Sequence, residues 1–181
     1  MRLRPLPLLA LGVLSAALAG CGRSLEEQSI LRASCPQAMR VQDAASLTRF
    51  RPDAGRDRTD VLFQAELGKV DIACNLRRNR VDVDLTVEII VTEGPALRER
   101  AANVGYFVRL VDPSGAVVQG RNFAADYKFA GNRNRAGSSE QLSLTIPLAE
   151  GQDGGGFTVA VGLLPTPQEL DYNRRRGSGT R

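Results

Sequence analysis

Residues 81–91, VDVDLTVEIIV, alternate almost without fault. Val81, Val83, Leu85, Val87, Ile89 and Val91 fall on one side of an extended chain. Asp82, Asp84, Thr86 and Glu88 fall on the other, and Ile90 alone breaks the rule. A helix would scatter these residues around its axis, whereas a strand gathers every second residue onto one face. The stretch therefore reads as a half-buried antiparallel strand, apolar toward a core and polar toward water.

The same period extends outward from it. Upstream, Val61, Phe63, Ala65 and Leu67 alternate, and so do Val70, Ile72, Cys74 and Leu76. Gly68 sits between the two sets, as a bulge in one long strand or as part of a turn. RRNR (77–80) then serves as a hairpin loop. Downstream, GYFVRLV (105–111) is a strand and DPSG (112–115) fits a type I turn. AVVQGRNFAADYKF (116–129) returns with a kink expected at Gly120, and GNRNRAG (131–137) reads as a polar loop. In QLSLTIPL (141–148), Leu142, Leu144, Ile146 and Leu148 share a face while Pro147 lies opposite, which marks an edge strand. GQDGGG (151–156) is a turn and FTVAVGLL (157–164) the last strand. Thr166, Pro167 and Glu169 then form a cap, a first-turn proline and a capping box. They predict a short helix at about 167–174, packed back through Leu170 with Tyr172, and a disordered tail over 175–181. The fold class expected is all-β: an immunoglobulin-like antiparallel β-sandwich of about seven strands with one short C-terminal helix.

The N-terminus has a different character. Arg2 and Arg4 precede an apolar run from Leu6 to Leu18, thirteen residues long. A membrane-spanning helix needs about 20, so a secretory signal fits better. Leu18-Ala19-Gly20-Cys21 closes the run and resembles the lipobox of bacterial lipoproteins. The resemblance implies that the Cys21 thiol takes a diacylglyceryl group, that the chain is cut before it, and that the new amine is acylated, with palmitate an expected chain. Residues 1–20 would be the signal peptide and 21–34 a lipidated tether. Two or more acyl chains anchor a protein stably. Gly22 stands where aspartate favours inner-membrane retention in that family, so an outer-membrane anchor facing the periplasm is expected. Four further strings, Cys35-Pro36, GPA (94–96), YFV (106–108) and VGLLPTPQELDYNR (161–174), resemble a group of small alphaproteobacterial envelope lipoproteins. That resemblance spans about 35–174 and implies one domain in the cell envelope.

Composition narrows the chemistry. The formal charge of +4 falls to +2 once Arg2 and Arg4 leave with the signal, so the chain is not marked as a nucleic-acid binder. Its arginines also lack the interleaved aromatics of a base-stacking surface. There is no histidine, which removes Ser-His-Asp and Cys-His arrangements and the commonest transition-metal ligand. No metal site or cofactor is expected. Asp82 and Asp84 are paired carboxylates, but their strand phase points them to solvent and no calcium-type loop surrounds them. GQDGGG lacks the GK[ST] of a phosphate loop. Cys35 and Cys74 are expected to form a disulfide in an oxidising compartment, with two free buried thiols as the alternative.

Arginine clusters recur in loops: Arg77, Arg78 and Arg80; Arg133 and Arg135; Arg174, Arg175 and Arg176. Gathered at one end of a sandwich they would make a contact surface for anionic groups; dispersed, they are solvated loop charge. The function expected is a non-catalytic binding or structural module, not an enzyme. It would sit on the membrane through its anchor and meet an envelope protein. The alternative is a binder of anionic glycan or lipid through the arginine loops.

Overall fold

The computed structural model describes residues 35–52 and 55–178. Cys21, the expected signal peptide and the expected tether lie outside the described residues. Among those residues eight strands occur: β1 (Gln37–Arg40), β2 (Ser46–Phe50), β3 (Val61–Arg77), β4 (Arg80–Glu93), β5 (Ala101–Val111), β6 (Val117–Lys128), β7 (Arg135–Pro147) and β8 (Thr158–Leu163). One helix, α1 (Pro167–Ser178), follows. The strands form two four-stranded sheets, ordered β1-β8-β5-β6 and β2-β3-β4-β7. The β-sandwich read from the sequence is present, with two differences: there are eight strands instead of about seven, and β1 runs parallel to β8.

The alternating face of β4 lies at the centre. Val81, Val83, Leu85, Val87, Ile89 and Val91 are each at most 1% exposed. Val104, Tyr106, Leu110, Val159, Val161 and Leu163 of the other sheet are also buried. Each such side chain contributes roughly 1.5–3 kcal/mol through burial. Ile90, the exception in the pattern, points the other way and is half-buried.

Several local expectations change. Gly68 is a bulge: β3 is one strand, and its register with β4 slips between Leu67 and Val70. Gly120 is not a kink. The β5–β6 irregularity falls between Leu110 and Val111, and Gly120 instead makes room for Arg109, whose Cδ would lie 2.6 Å from an added Cβ. β7 begins at Arg135, because Ser138 and Glu140 occupy core-facing phases and hid the period. β1 and β2 were not legible at all. β1 is an exposed edge strand, and in β2 Arg49 takes the face of Phe63, its cross-strand partner.

One long side of the sandwich is closed three times over. Cys35 and Cys74 are bonded, with Cα atoms 6.1 Å apart, which ties the chain ahead of β1 to the distal half of β3. The Arg40 guanidinium donates to the carbonyls of Leu67 (3.1 Å) and Gly68 (3.3 Å). Helix α1 packs on β2. It extends past the expected end at 174 and includes Arg175 and Arg176, since arginine is a good helix former and suits a helix C-terminus.

Leu170 does not lead this docking, because it is only half-buried. The inward stripe is Glu169, Tyr172 and Asn173, three and four residues apart. Glu169 is 3% exposed. It closes the capping box expected, accepting from the Thr166 N–H at 2.7 Å while its own N–H donates to Thr166 Oγ1 at 3.3 Å. It also forms an ion pair with Arg49 of β2. Tyr172 meets Phe50 edge-on, with centroids 5.2 Å apart. Asn173 donates to the carbonyls of Ser46 (2.6 Å) and Asp43 (3.2 Å).

Replacing Cys35 and Cys74 together with alanine should lower stability by about 2–4 kcal/mol in urea unfolding. Glu169→Ala should lose about 2–4 kcal/mol, since it leaves Arg49 without its partner and removes the carboxylate half of the capping box. The exposed pair between Arg174 and Asp43 should contribute less than about 1 kcal/mol, read as the coupling between Arg174→Ala and Asp43→Ala in a double-mutant cycle.

Candidate functional site

The opposite long side, between edge strands β6 and β7, is built differently. Cross-strand partners share a face, so register places each residue. On β6, Gln119, Arg121, Phe123 and Tyr127 take the inner face of Leu110, Val108, Tyr106 and Ala102. On β7, Ser138, Glu140, Leu142 and Leu144 take that of Ile89, Val87, Leu85 and Val83. Arg121 and Glu140 are thus charges on the inner faces of edge strands, a device that discourages sheet-to-sheet aggregation.

The seam is a wedge. At one end the Tyr127 hydroxyl and Ser138 Oγ are hydrogen-bonded across the sheets at 2.7 Å. Toward the other end it opens into a groove of about 550 Å³. Val83, Val108, Leu110, Phe123, Leu142 and Leu144 give the groove apolar walls, and Gln119 and Arg121 line it too. Phe123 stacks on Tyr106 with centroids 5.2 Å apart. The Arg121 guanidinium lies 5.1 Å from the centroid of Phe123. A largely apolar cleft with a few polar groups is the usual form of a binding site.

A second depression, about 480 Å³, lies at the β6–β7 connection, where Lys128, Arg133 and Arg135 surround Ile90 and Gly137. Arg100 holds this connection in place. It adopts a left-handed backbone (φ 51°) ahead of β5. Its guanidinium donates to the carbonyls of Phe129 (3.3 Å) and Arg133 (2.9 Å) and pairs with Glu93 at 3.5 Å.

The three arginine clusters do not gather at one end. Arg77, Arg78 and Arg80 lie at the β3–β4 hairpin, whereas Arg135 pairs with Thr92 near the other end of β4. At ~3.3 Å per residue, roughly 40 Å separates them. Arg174 is paired with Asp43 near β2 at 3.0 Å, and Arg175 and Arg176 belong to α1. A hairpin turn and the far end of its second strand are opposite by geometry, so these loops cannot form one surface. Only Arg133 and Arg135 acquire a third cation, Lys128. At the hairpin, Arg80 and Arg77 pair with Asp82 at 3.0 and 3.5 Å.

Asp82 and Asp84 also bind the neighbouring strand, accepting from Thr145 (3.1 Å) and Ser143 (2.9 Å). Partial burial opposes ionisation of Asp82, but hydrogen bonds from Arg80 and Thr145 and the nearby arginine charge hold its pKa below the usual carboxylate value. The pair belongs to the outer face of the sheet. Among the described residues, no group of three or more His, Cys, Asp or Glu is placed to hold a metal ion.

Sequence reading missed Lys128, Arg121, Glu140 and Arg100. The inner phase of Glu140 becomes visible only once β7 is extended back to Arg135, and Arg121 was hidden by the kink expected at Gly120. No protein-family model matches this chain, and no curated protein matches it.

The groove leaves a pH signature. Burial, then the Glu140 charge and Tyr127, push the Tyr106 phenol from 10.0 up to about 12. Tyr127 is also raised, chiefly by burial. The fold therefore favours neutral Tyr106. Its contribution is fully present below pH 10, then falls as pH rises toward 12, because the unfolded chain releases the proton first. Tyr106→Phe should flatten this alkaline loss in melting experiments. Glu140→Gln should lower the tyrosinate titration midpoint in ultraviolet absorbance.

Proposed function

We propose that this chain is a non-catalytic binding module of the bacterial cell envelope, lipid-anchored through Cys21, with the β6–β7 seam as its ligand-facing surface. The observation that carries the reading is the asymmetry of the sandwich. One long side is closed by a disulfide, an arginine and a docked helix, while the other keeps an apolar groove between its edge strands and a basic pocket at their connection. Lipobox residues Leu18 to Cys21 support the anchor. The Cys35–Cys74 bond supports an oxidising, periplasm-facing location, and Gly22 favours the outer membrane. A chain without histidine has no ready general base of the usual kind, which supports binding over catalysis.

A second reading, an anionic glycan or lipid binder, is favoured by one feature: the meeting of Lys128 with Arg133 and Arg135. It no longer draws on the hairpin or C-terminal arginines.

Membrane fractionation with fatty-acid labelling tests the anchor. Wild-type protein should be labelled and membrane-bound, and Cys21→Ser unlabelled and uncut; equal labelling of both overturns the anchor. A photo-crosslinking residue at Gln141, in the seam, should yield an envelope adduct in cells, while one at Lys69 should not. Equal yields overturn the seam as the binding surface.

A further inference from the structure

The groove and the basic pocket share one structural element, the free edge of β7. Two backbone bonds fix the phase of that edge: Glu93 N–H to the Asn134 carbonyl (2.8 Å) and Leu148 N–H to the Asn79 carbonyl (2.9 Å). In an antiparallel ladder the bonded pairs recur at every second residue. Residues of β7 in phase with 134 and 148 therefore bond to β4, and Gly137, Ser139, Gln141, Ser143 and Thr145 turn their N–H and C=O groups outward. Pro147, which has no N–H to offer, falls in the same outward phase. No strand pairs with that side of β7 among the described residues. From Gly137 to Thr145 the edge runs about 27 Å at ~3.4 Å per residue, from the basic pocket to the groove.

We infer that this edge receives an extended peptide, added antiparallel to β7, whose apolar side chains alternate into the β6–β7 groove and whose acidic C-terminal end sits at Lys128, Arg133 and Arg135. Strand addition supplies main-chain hydrogen bonds for affinity and pockets at every second side chain for specificity. Here the pockets are the walls formed by Phe123, Leu142 and Leu144. An antiparallel strand brings its C-terminal end to the start of β7, where the three cations lie, so charge fixes direction. Arg121 has no ion-pair partner among the described residues and is available to a second carboxylate along the strand. A lipid fits less well. With its headgroup in the basic pocket, it would leave the outward amides of β7 unmatched.

The inference rests on the seam being the ligand surface. The probe is a labelled peptide of about nine residues, alternating valine and threonine and ending in two glutamates, a length set by the edge at ~3.4 Å per residue. Binding is read by anisotropy on the full chain in phosphatidylcholine nanodiscs. Saturable binding is expected. N-methylation of alternate peptide amides, or placing the glutamates at the N-terminal end, should weaken it about tenfold or more, because each removes a specific set of bonds. Ser139→Pro should do the same without lowering the melting temperature, since proline is tolerated where an edge N–H faces outward. Replacing Lys128 and Arg133 with glutamine should weaken the acidic peptide about tenfold and leave a glutamine-ended peptide unchanged. Absence of saturable binding overturns the inference, and so does equal binding of the N-methylated peptide. Binding of phosphatidylglycerol nanodiscs without peptide binding overturns it and assigns the pocket to lipid. If the peptide fails while crosslinking at Gln141 persists, only the strand mode is lost; if both fail, the seam itself is not the binding surface.

Discussion

The structure depends on one constraint, the burial of the alternating face of β4. This strand has a partner along nearly its whole length on both sides, β3 and β7, so its backbone is satisfied within the sheet. Its inner side chains are then left one place to go, against the second sheet. Because the period is two, a slip of one residue would send six apolar side chains into water and four polar ones into the core. Register is therefore strongly specified from 81 to 91, and the neighbouring strands inherit it.

A sandwich made this way has two open long sides, and the chain treats them oppositely. On the β2–β3 side it uses covalent and buried polar links: the Cys35–Cys74 bond, Arg40 on two β3 carbonyls, and Glu169 shared between a helix cap and Arg49. Glu169 serves two roles that reinforce each other. The cap orients its carboxylate, and the ion pair then fixes the helix to β2. On the β6–β7 side, among the described residues, the side-chain hydrogen bond between the sheets is Tyr127–Ser138 at one end. Beyond it the sheets part, and Phe123, Leu142 and Leu144 are only half-buried.

The charges on the open side follow the same logic. An uncovered edge strand invites pairing, and charge on its inner face limits which strands are accepted. Arg121 and Glu140 provide that charge with opposite signs, while Lys128, Arg133 and Arg135 set the polarity of one end. A seam so marked discriminates against general aggregation and leaves room for a partner of matching pattern. The loop carrying Arg133 is itself held by Arg100, so the basic pocket is positioned by the same backbone that starts β5.

The sequence by itself determined the strands whose two faces meet different media. β3, β4, β5 and β8, the hairpin at 77–80, the turn at 112–115 and the capping box at 166–169 were all legible, because each rests on local period or local hydrogen bonding. The pairing of Cys35 with Cys74 was legible from cysteine count, since few partners were available. The tertiary structure alone decided the rest. β1 has too little buried surface to impose a period, and Arg49 in β2 sits on the inner face because Glu169, 120 residues away, neutralises it there. The first half of β7 looked like loop because its core-facing phase carries Ser138 and Glu140, which are tolerable only at an edge. The arginine clusters were visible as composition, but their separation along β4 and the joining of Lys128 to Arg133 and Arg135 depend on which strand ends meet. Local pattern encodes the face a residue shows; distance between faces is set by pairing, and pairing is a property of the folded chain.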